Sequence, residues 1–409
     1  MKRFVLYFIA LRTIIAAFYS VNLIGPIRMT DIAGLLFPLV SIIYLMSSGS
    51  REKVARKGIV LVPLIWLILS SAYVVVVEEQ LGFIYLYAKQ IFRFANGVYA
   101  FIVFPRIFTN YSDVKQFAYA SLIATVFPMA QIFAITVIGP GAFGLQVVNL
   151  EDVTLVKGVY GNYGVFATST YIGLVALMIL LADPGRKKSR DRYVALGFVS
   201  YIFMGLVTLS RILMSQIMSI VAIFVYAAGK RGSFGILAVF LLAMVIFSQT
   251  SLFESKTDEL LARSEYEFDV LQGEKGYHYA MNGRVDRWDE GIEVFTNDYN
   301  TMDQLFGTKI RIGPHGDYFY WLFAYGWIGF LVFLRLTKDV TVTSLVAWRR
   351  YKDTSYRMFG AAVLSLAPIW ILSAVGTTPS AMPDTLYLVF GLMGIVLNHD
   401  FREESDAST

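Results

Sequence analysis

The sequence predicts an all-α polytopic membrane protein of about twelve transmembrane helices with one large loop outside the bilayer, on three observations. The chain of 409 residues is 56% hydrophobic and only 16% charged, whereas soluble domains run at roughly 45–50% apolar and 25% charged. Its mean hydropathy is +0.59. Its apolar residues fall in runs of about 20, the length that crosses a ~30 Å hydrocarbon core at 1.5 Å per residue. A soluble multidomain enzyme and a disordered chain are both excluded by this composition. With no Cys, the chain makes no disulfide, iron–sulfur cluster or thiolate zinc site. Its 3 His (His278, His315 and His399) lie far apart, against a multi-His metal site.

The candidate helices, in order, lie near 4–24, 31–48, 59–78, 83–104, 116–138, 165–183, 194–209, 211–229, 234–250, 317–334, 359–375 and 384–398. The first follows Lys2-Arg3 like a signal peptide, but its apolar stretch is long and no small-residue cleavage site precedes Ile24, so it reads as an anchor. The fourth carries Lys89 and Arg93. Leu209-Ser210-Arg211 joins the seventh and eighth almost without a loop. Most of the 35 Lys and Arg fall on one side of this alternation: Lys2/Arg3, Arg51–Lys57, Arg106/Lys115, Arg186–Arg192, Lys230/Arg231, Arg335–Arg357 and Arg402. The positive-inside rule makes that side cytoplasmic, with both termini inside. The net charge of +5 thus reflects membrane insertion, and no nucleic-acid partner is expected. The organisation is helices one to nine over 1–250, a large periplasmic loop over 251–316, helices ten to twelve over 317–398, and a cytoplasmic tail over 399–409. A smaller loop runs from Gly139 to Gly164. No inverted half-repeat is visible, which weighs against a secondary transporter.

The residues of chemical interest are cations inside the membrane or on its outer side. Lys89 and Arg93 are four apart, on one helix face, roughly 10 and 16 Å below an outer end near Gly82. Arg12 is placed similarly deep. A charge at such depth costs at least ~2.5–3.5 kcal/mol, so it faces a bundle interior, a wet cavity or a partner. The two readings are a buried ion pair and a groove for an anionic head group. Arg211 opens a span and serves either as an interfacial anchor or as an anion ligand. If 284–295 is helical, Arg284, Arg287, Trp288 and Gly291 share a face while Val285, Ile292 and Phe295 pack elsewhere. Arginine offers a rigid fork of donors suited to phosphate, but a salt-bridge ladder with Asp286, Asp289 and Glu290 is the structural alternative. His315, in Gly313-Pro-His-Gly-Asp317, sits at a loop–membrane junction where an imidazole can act as a general base. His278 and His399 read as structural. Gly139–Gly144 lacks the Lys-Ser/Thr of a phosphate loop, and the pair Glu267/Asp269 reads as a solvated face rather than a magnesium site.

The ordered set carries more than its parts. Thr208-Leu-Ser-Arg211 opens a span; Asn282-Gly-Arg284-x-x-x-Trp288-x-x-Gly291 lies in the large loop. Leu305-Phe-Gly307 follows, then Pro314-His315-Gly-Asp317-Tyr318 and Ala324-Tyr-Gly326-Trp-Ile-Gly329. This order resembles the superfamily of O-antigen polymerases and O-antigen ligases, bacterial envelope glycan enzymes, over about residues 208–334. The resemblance implies a GT-C-like membrane architecture in the bacterial inner membrane with a periplasmic active site. It implies transfer of a glycan from an undecaprenyl-diphosphate carrier to a sugar hydroxyl, with inversion and without metal or other cofactor. By the same resemblance Arg211 and Arg284 match diphosphate-binding arginines and His315 the base. Arg287, Trp288, Lys89, Arg93 and Asp317 are the expected substrate-binding residues. Gly316 stands where a common pattern has Asn after the His. The expected partners are the lipid-linked oligosaccharide, membrane lipid and a chain-length regulator protein. Polymerase is the leading reading, ligase to lipid A–core the alternative, and a lipid-linked glycan flippase the competitor from another class.

Overall fold

The computed structural model describes residues 1–18, 22–24, 27–48, 54–77, 79, 81–139, 146–150, 153–160, 164–183, 189–208, 211–249, 280–308 and 316–402, with isolated positions 258, 261, 265, 268–270, 272–273 and 276 between. The chain is an all-α polytopic membrane protein. Among the described residues, 7 helical segments are long and apolar enough to cross a bilayer.

Helices α1 (Lys2–Ala17), α2 (Met29–Ser47), α3 (Gly58–Val76), α4 (Ile84–Ile107) and α5 (Tyr111–Ile138) make the first third. Then come α6 (Gly164–Leu181), α7 (Ser189–Thr208) and α8 (Arg211–Ser248). The large loop contributes α9 (Ala280–Asn297) and the short α10 (Thr301–Phe306). The chain closes with α11 (Asp317–Tyr351), α12 (Arg357–Leu364), α13 (Leu366–Gly376) and α14 (Pro383–Asn398). Two small antiparallel hairpins join helices: β1 (Asn22–Ile24) with β2 (Ile27–Arg28), and β3 (Gln146–Leu150) with β4 (Val153–Gly158).

Every predicted apolar run falls on a helix, with four differences. The first helix stops at Ala17, and Asn22–Ile24 is a strand, since a short apolar run satisfies either conformation. Arg12 is therefore only about 8 Å from the end of α1 rather than deep within it. The runs 211–229 and 234–250 form one helix bent at Gly229, whose φ of 70° breaks the helical path. Helix α11 continues well past residue 334, because the charged stretch that follows favours helix and Arg335 lies 3.8 Å from Asp339 at i,i+4. The run 359–375 is split at Ser365, three residues before Pro368, whose missing N–H interrupts the ladder. The predicted helical stretch 284–295 lies within α9. Its counterpart 258–271 lies largely outside the described residues, and so does His278.

Contacts sort several of the helix ends into two groups. At one end Lys2 pairs with Asp113, Lys115 with Asp183 at 2.8 Å, Ala55 N–H donates to Asn398 Oδ1 at 2.9 Å, and Arg350 donates to the Val396 carbonyl at 2.7 Å. His399, as expected, is structural, with Nε2 2.6 Å from the Pro105 carbonyl. At the other end Lys89 meets Asp31, Arg12 meets Asp384, and Tyr73 meets Asp303. The Lys and Arg bias expects the first group to face the cytosol.

The core runs between these ends. Helix α14 lies along α4, where Gly394 approaches so closely that a Cβ there would stand 2.4 Å from the Phe101 carbonyl. Small residues are the usual means of bringing two membrane helices into van der Waals contact. Beside that seam Phe94, Phe390, Trp370, Phe333 and Trp321 form a continuous aromatic chain that holds α11 against α4, α13 and α14.

Candidate functional site

The motifs of the carboxy-terminal half meet where α11 begins. Helix α3 presents Trp66, Ser70 and Tyr73 at i, i+4 and i+7, hence on one face. Trp66 Nε1–H donates to the Tyr325 carbonyl at 3.1 Å, Ser70 Oγ–H to the Phe306 carbonyl at 2.5 Å, and Tyr73 O–H to Asp303 at 2.9 Å. Phe306 stacks on both rings, 5.5 Å from Trp66 and 5.3 Å from Tyr73. Asn300 caps α10 by accepting from the N–H groups of Met302 and Asp303. At its far end α10 turns at Gly307, with φ of 86°, against the bend that Gly326, with φ of 69°, puts into α11. A Cβ on Gly307 would lie 2.1 Å from the Ala324 carbonyl, and one on Gly326 would lie 2.3 Å from the Leu305 carbonyl. The segments Leu305–Gly307 and Ala324–Gly326 are thus two halves of one backbone-to-backbone contact.

Helix α9 packs on the opening turns of α11. Trp288 stacks on Phe319 with centroids 4.7 Å apart at 19°, Phe295 contacts Phe323 and Trp327, and a Cβ on Gly291 would strike the Phe323 ring. The buried face of α9 is therefore Trp288-Gly291-Phe295. This differs from the expected division, because Trp288 supplies packing area and Ile292 is left 41% exposed. Arg287, one position before Trp288, is exposed. Arg211 is the first residue of α8 and Arg284 stands in the second turn of α9; their side chains lie outside the described residues. His315 lies outside them altogether.

The next residue, Gly316, is described and has φ of 116°; a Cβ there would stand 2.6 Å from the Val375 carbonyl. An asparagine at this position would collide with the end of α13. Asp317, the first residue of α11, is wholly buried. Its Oδ2 accepts from the Ser380 N–H at 2.8 Å and its Oδ1 from Ser380 Oγ–H at 2.7 Å, while Trp321 Nε1–H donates to that Oγ at 3.2 Å. The carboxylate expected to bind substrate is thus engaged with the protein, where it fastens the turn after His315 to the 379–381 segment.

The intramembrane cations resolve differently from one another. Lys89 Nζ lies 2.6 Å from Asp31, whose other oxygen accepts from Tyr85 O–H at 2.7 Å. Arg12 Nε donates to Asp384 at 3.0 Å, beside a cavity of about 30 Å³ that Ser121, Thr125, Thr168 and Ser169 also line. Its Nη1 is buried without a partner among the described residues, and the cavity has room for one water. Arg93 makes no ion pair among the described residues. The acids Asp31 and Asp384 were not singled out in the sequence as partners. The available signal was electrostatic: three cations at membrane depth demand anions, and Asp31 and Asp384 each open a helix at the same end.

The Lys89–Asp31 pair gives a direct prediction. Lys89→Met leaves the carboxylate unmatched and is expected to cost on the order of 3 kcal/mol, whereas the double change with Asp31→Leu recovers most of it. Thermal unfolding of the purified variants in detergent checks this; equal melting of the single and double variants would mean that the pair is not coupled.

No family model matches the chain, and no curated protein matches it. Among solved structures, a chain from a peptidoglycan synthase complex, described for the structural coordination of polymerization and crosslinking, is similar over 83% of this chain and 96% of its own. The identity is 16% and the TM-score 0.37. A likeness of that score carries no argument about activity.

Proposed function

We propose that this protein is a polymerase of lipid-linked glycans. It transfers an undecaprenyl-diphosphate-linked chain to a sugar hydroxyl of another lipid-linked repeat unit at the periplasmic face. One observation carries the reading: Trp288–Gly291, Leu305–Gly307, Gly316–Asp317 and Ala324–Gly326, scattered in sequence, build a single junction around the start of α11. That junction holds α9 on the opening turns of α11, and the reading takes Arg284 and His315, which adjoin it in sequence, as the groups it serves.

The reaction asks little of the protein beyond placement and charge. The acceptor oxygen attacks the anomeric carbon from the face opposite the diphosphate, the bond from that carbon to the phosphate oxygen breaks, and the configuration inverts. The acceptor proton passes to His315, a transfer worth about 10²–10⁴ in rate. Negative charge gathers on the departing diphosphate, where Arg211 and Arg284, with Arg287 nearby, oppose it. Each well-placed donor contributes roughly 3–4 kcal/mol, so the arginines matter at least as much as the base. Asp317 acts at one remove, since its bonds to Ser380 fix the first turn of α11, two residues after His315 in sequence.

Purified protein given lipid-linked repeat units is expected to produce a ladder of products spaced by one unit. Transfer to lipid A–core acceptor without a ladder would identify a ligase, and movement of the lipid across a vesicle without any new glycosidic bond would identify a flippase.

A further inference from the structure

Of the three cations Arg12, Lys89 and Arg93, two have a carboxylate partner, and the pairing leaves one cation over. Lys89 is matched by Asp31 at 2.6 Å and Arg12 by Asp384 at 3.0 Å. Two other acids at the end where α11 begins are engaged elsewhere, Asp317 with Ser380 and Asp303 with Tyr73. Arg93, one turn beyond Lys89 on α4, has Asp31, Tyr320, Arg12 and Tyr85 as electrostatic neighbours but no carboxylate within ion-pair distance among the described residues. It is only partly buried. A guanidinium at this depth is stable when an anion completes it.

The surroundings say what kind of anion arrives. Leu86 and Phe92 on α4 and Leu36 on α2 are exposed and apolar, so the approach to Arg93 is through hydrocarbon. A phosphate carried on an apolar tail suits that path. The site is also distinct from the one on α9. Phe319 and Phe323 meet α9, whereas Tyr320, about 100° around α11 from Phe319, is the residue within electrostatic reach of Arg93.

We propose that Arg93 binds the phosphate of a polyprenyl-linked lipid on the α4 side of α11, so that two lipid-linked substrates meet across the start of that helix. The phosphate follows from the charge count; the polyprenyl identity rests on the polymerase reading. Polymerisation needs two such lipids at once, a donor and an acceptor, and a helix flanked by two cationic places supplies both.

Native mass spectrometry of the full chain in detergent, with undecaprenyl phosphate as the probe, tests this. Wild type is expected to take up two equivalents, and Arg93→Gln one, with the second weakened at least about tenfold by loss of a charged contact. Arg93→Lys is expected to weaken it less. Because the unmatched charge is removed, Arg93→Gln should melt no lower than wild type in the absence of lipid. Two equivalents bound unchanged by Arg93→Gln, or a clear loss of lipid-free stability in that variant, would overturn the proposal. Equal competition by phosphatidylglycerol would overturn the polyprenyl assignment, and competition by inorganic phosphate alone would overturn the lipid. If uptake depends on Arg93 but wild type forms no polymer from lipid-linked repeat units, the site stands and the polymerase reading falls.

Discussion

Gly307→Ala is expected to abolish the folded protein, or to lower its melting temperature by many degrees, although it adds a single methyl group. The residue has φ of 86°, a region that costs an L side chain roughly 1–2 kcal/mol. The added Cβ would lie 2.1 Å from the Ala324 carbonyl oxygen and 2.6 Å from the Tyr325 Cα. Both obstacles are backbone, so no side-chain rotation relieves them, and α10 must leave α11. That departure also breaks the Ser70 bond to the Phe306 carbonyl and separates Phe306 from Trp66 and Tyr73. Against a total stability of about 5–15 kcal/mol, the loss is large. Gly34→Ala is the control, because nothing lies within 4 Å of a Cβ built there, and a helical alanine is neutral or slightly favourable. Unfolding followed in detergent should separate the two variants clearly; melting of Gly307→Ala within ~1 °C of wild type, about 1 kcal/mol in a chain of this size, would show that the junction is not close-packed.

The helices were legible because bilayer length and hydropathy leave few alternatives, and the motif residues because glycine and arginine at fixed spacing have narrow uses. The sequence did not say which surfaces meet. The 3.6-residue period places Lys89 and Arg93 on one face of α4, yet nothing in that period distinguishes the one that finds Asp31 from the one that does not. Trp288 shares a face with Gly291 as expected, but whether that face turns to a ligand or to Phe319 depends on α11, some thirty positions further on. The glycines of Leu305-Phe-Gly307 and Ala324-Tyr-Gly326 read as separate signals in the sequence and become one contact only in three dimensions. The end of α1 was missed for a local reason: the residues before Asn22 are apolar, and hydropathy does not tell a short strand from a last helical turn.

Arg284→Lys discriminates between the two accounts of α9. If the arginine is only one of the surface charges of an acidic helix, lysine preserves the sign, and polymer synthesis should stay near normal. If it grips a diphosphate as charge develops, lysine replaces a planar fork with a point charge and cannot make the bidentate contact. The expected result is the second: ladder formation by purified Arg284→Lys falls about 10²–10³-fold. Melting of the variant in detergent is measured beside the ladders, because residue 284 lies one turn before Trp288 on the face that holds α9 on α11. Arg284→Gln should be no better than lysine, since charge without geometry adds little. His315→Ala is expected to fall by a comparable factor, about 10²–10⁴, but with a different signature. Loss of the base should slow turnover while leaving affinity for undecaprenyl diphosphate intact, whereas loss of the fork should weaken that affinity as well. Parallel measurement of lipid binding and product ladders on the two variants therefore assigns each group its part. Near-normal ladders from Arg284→Lys would remove the arginine from the reaction and leave α9 as a packing element alone.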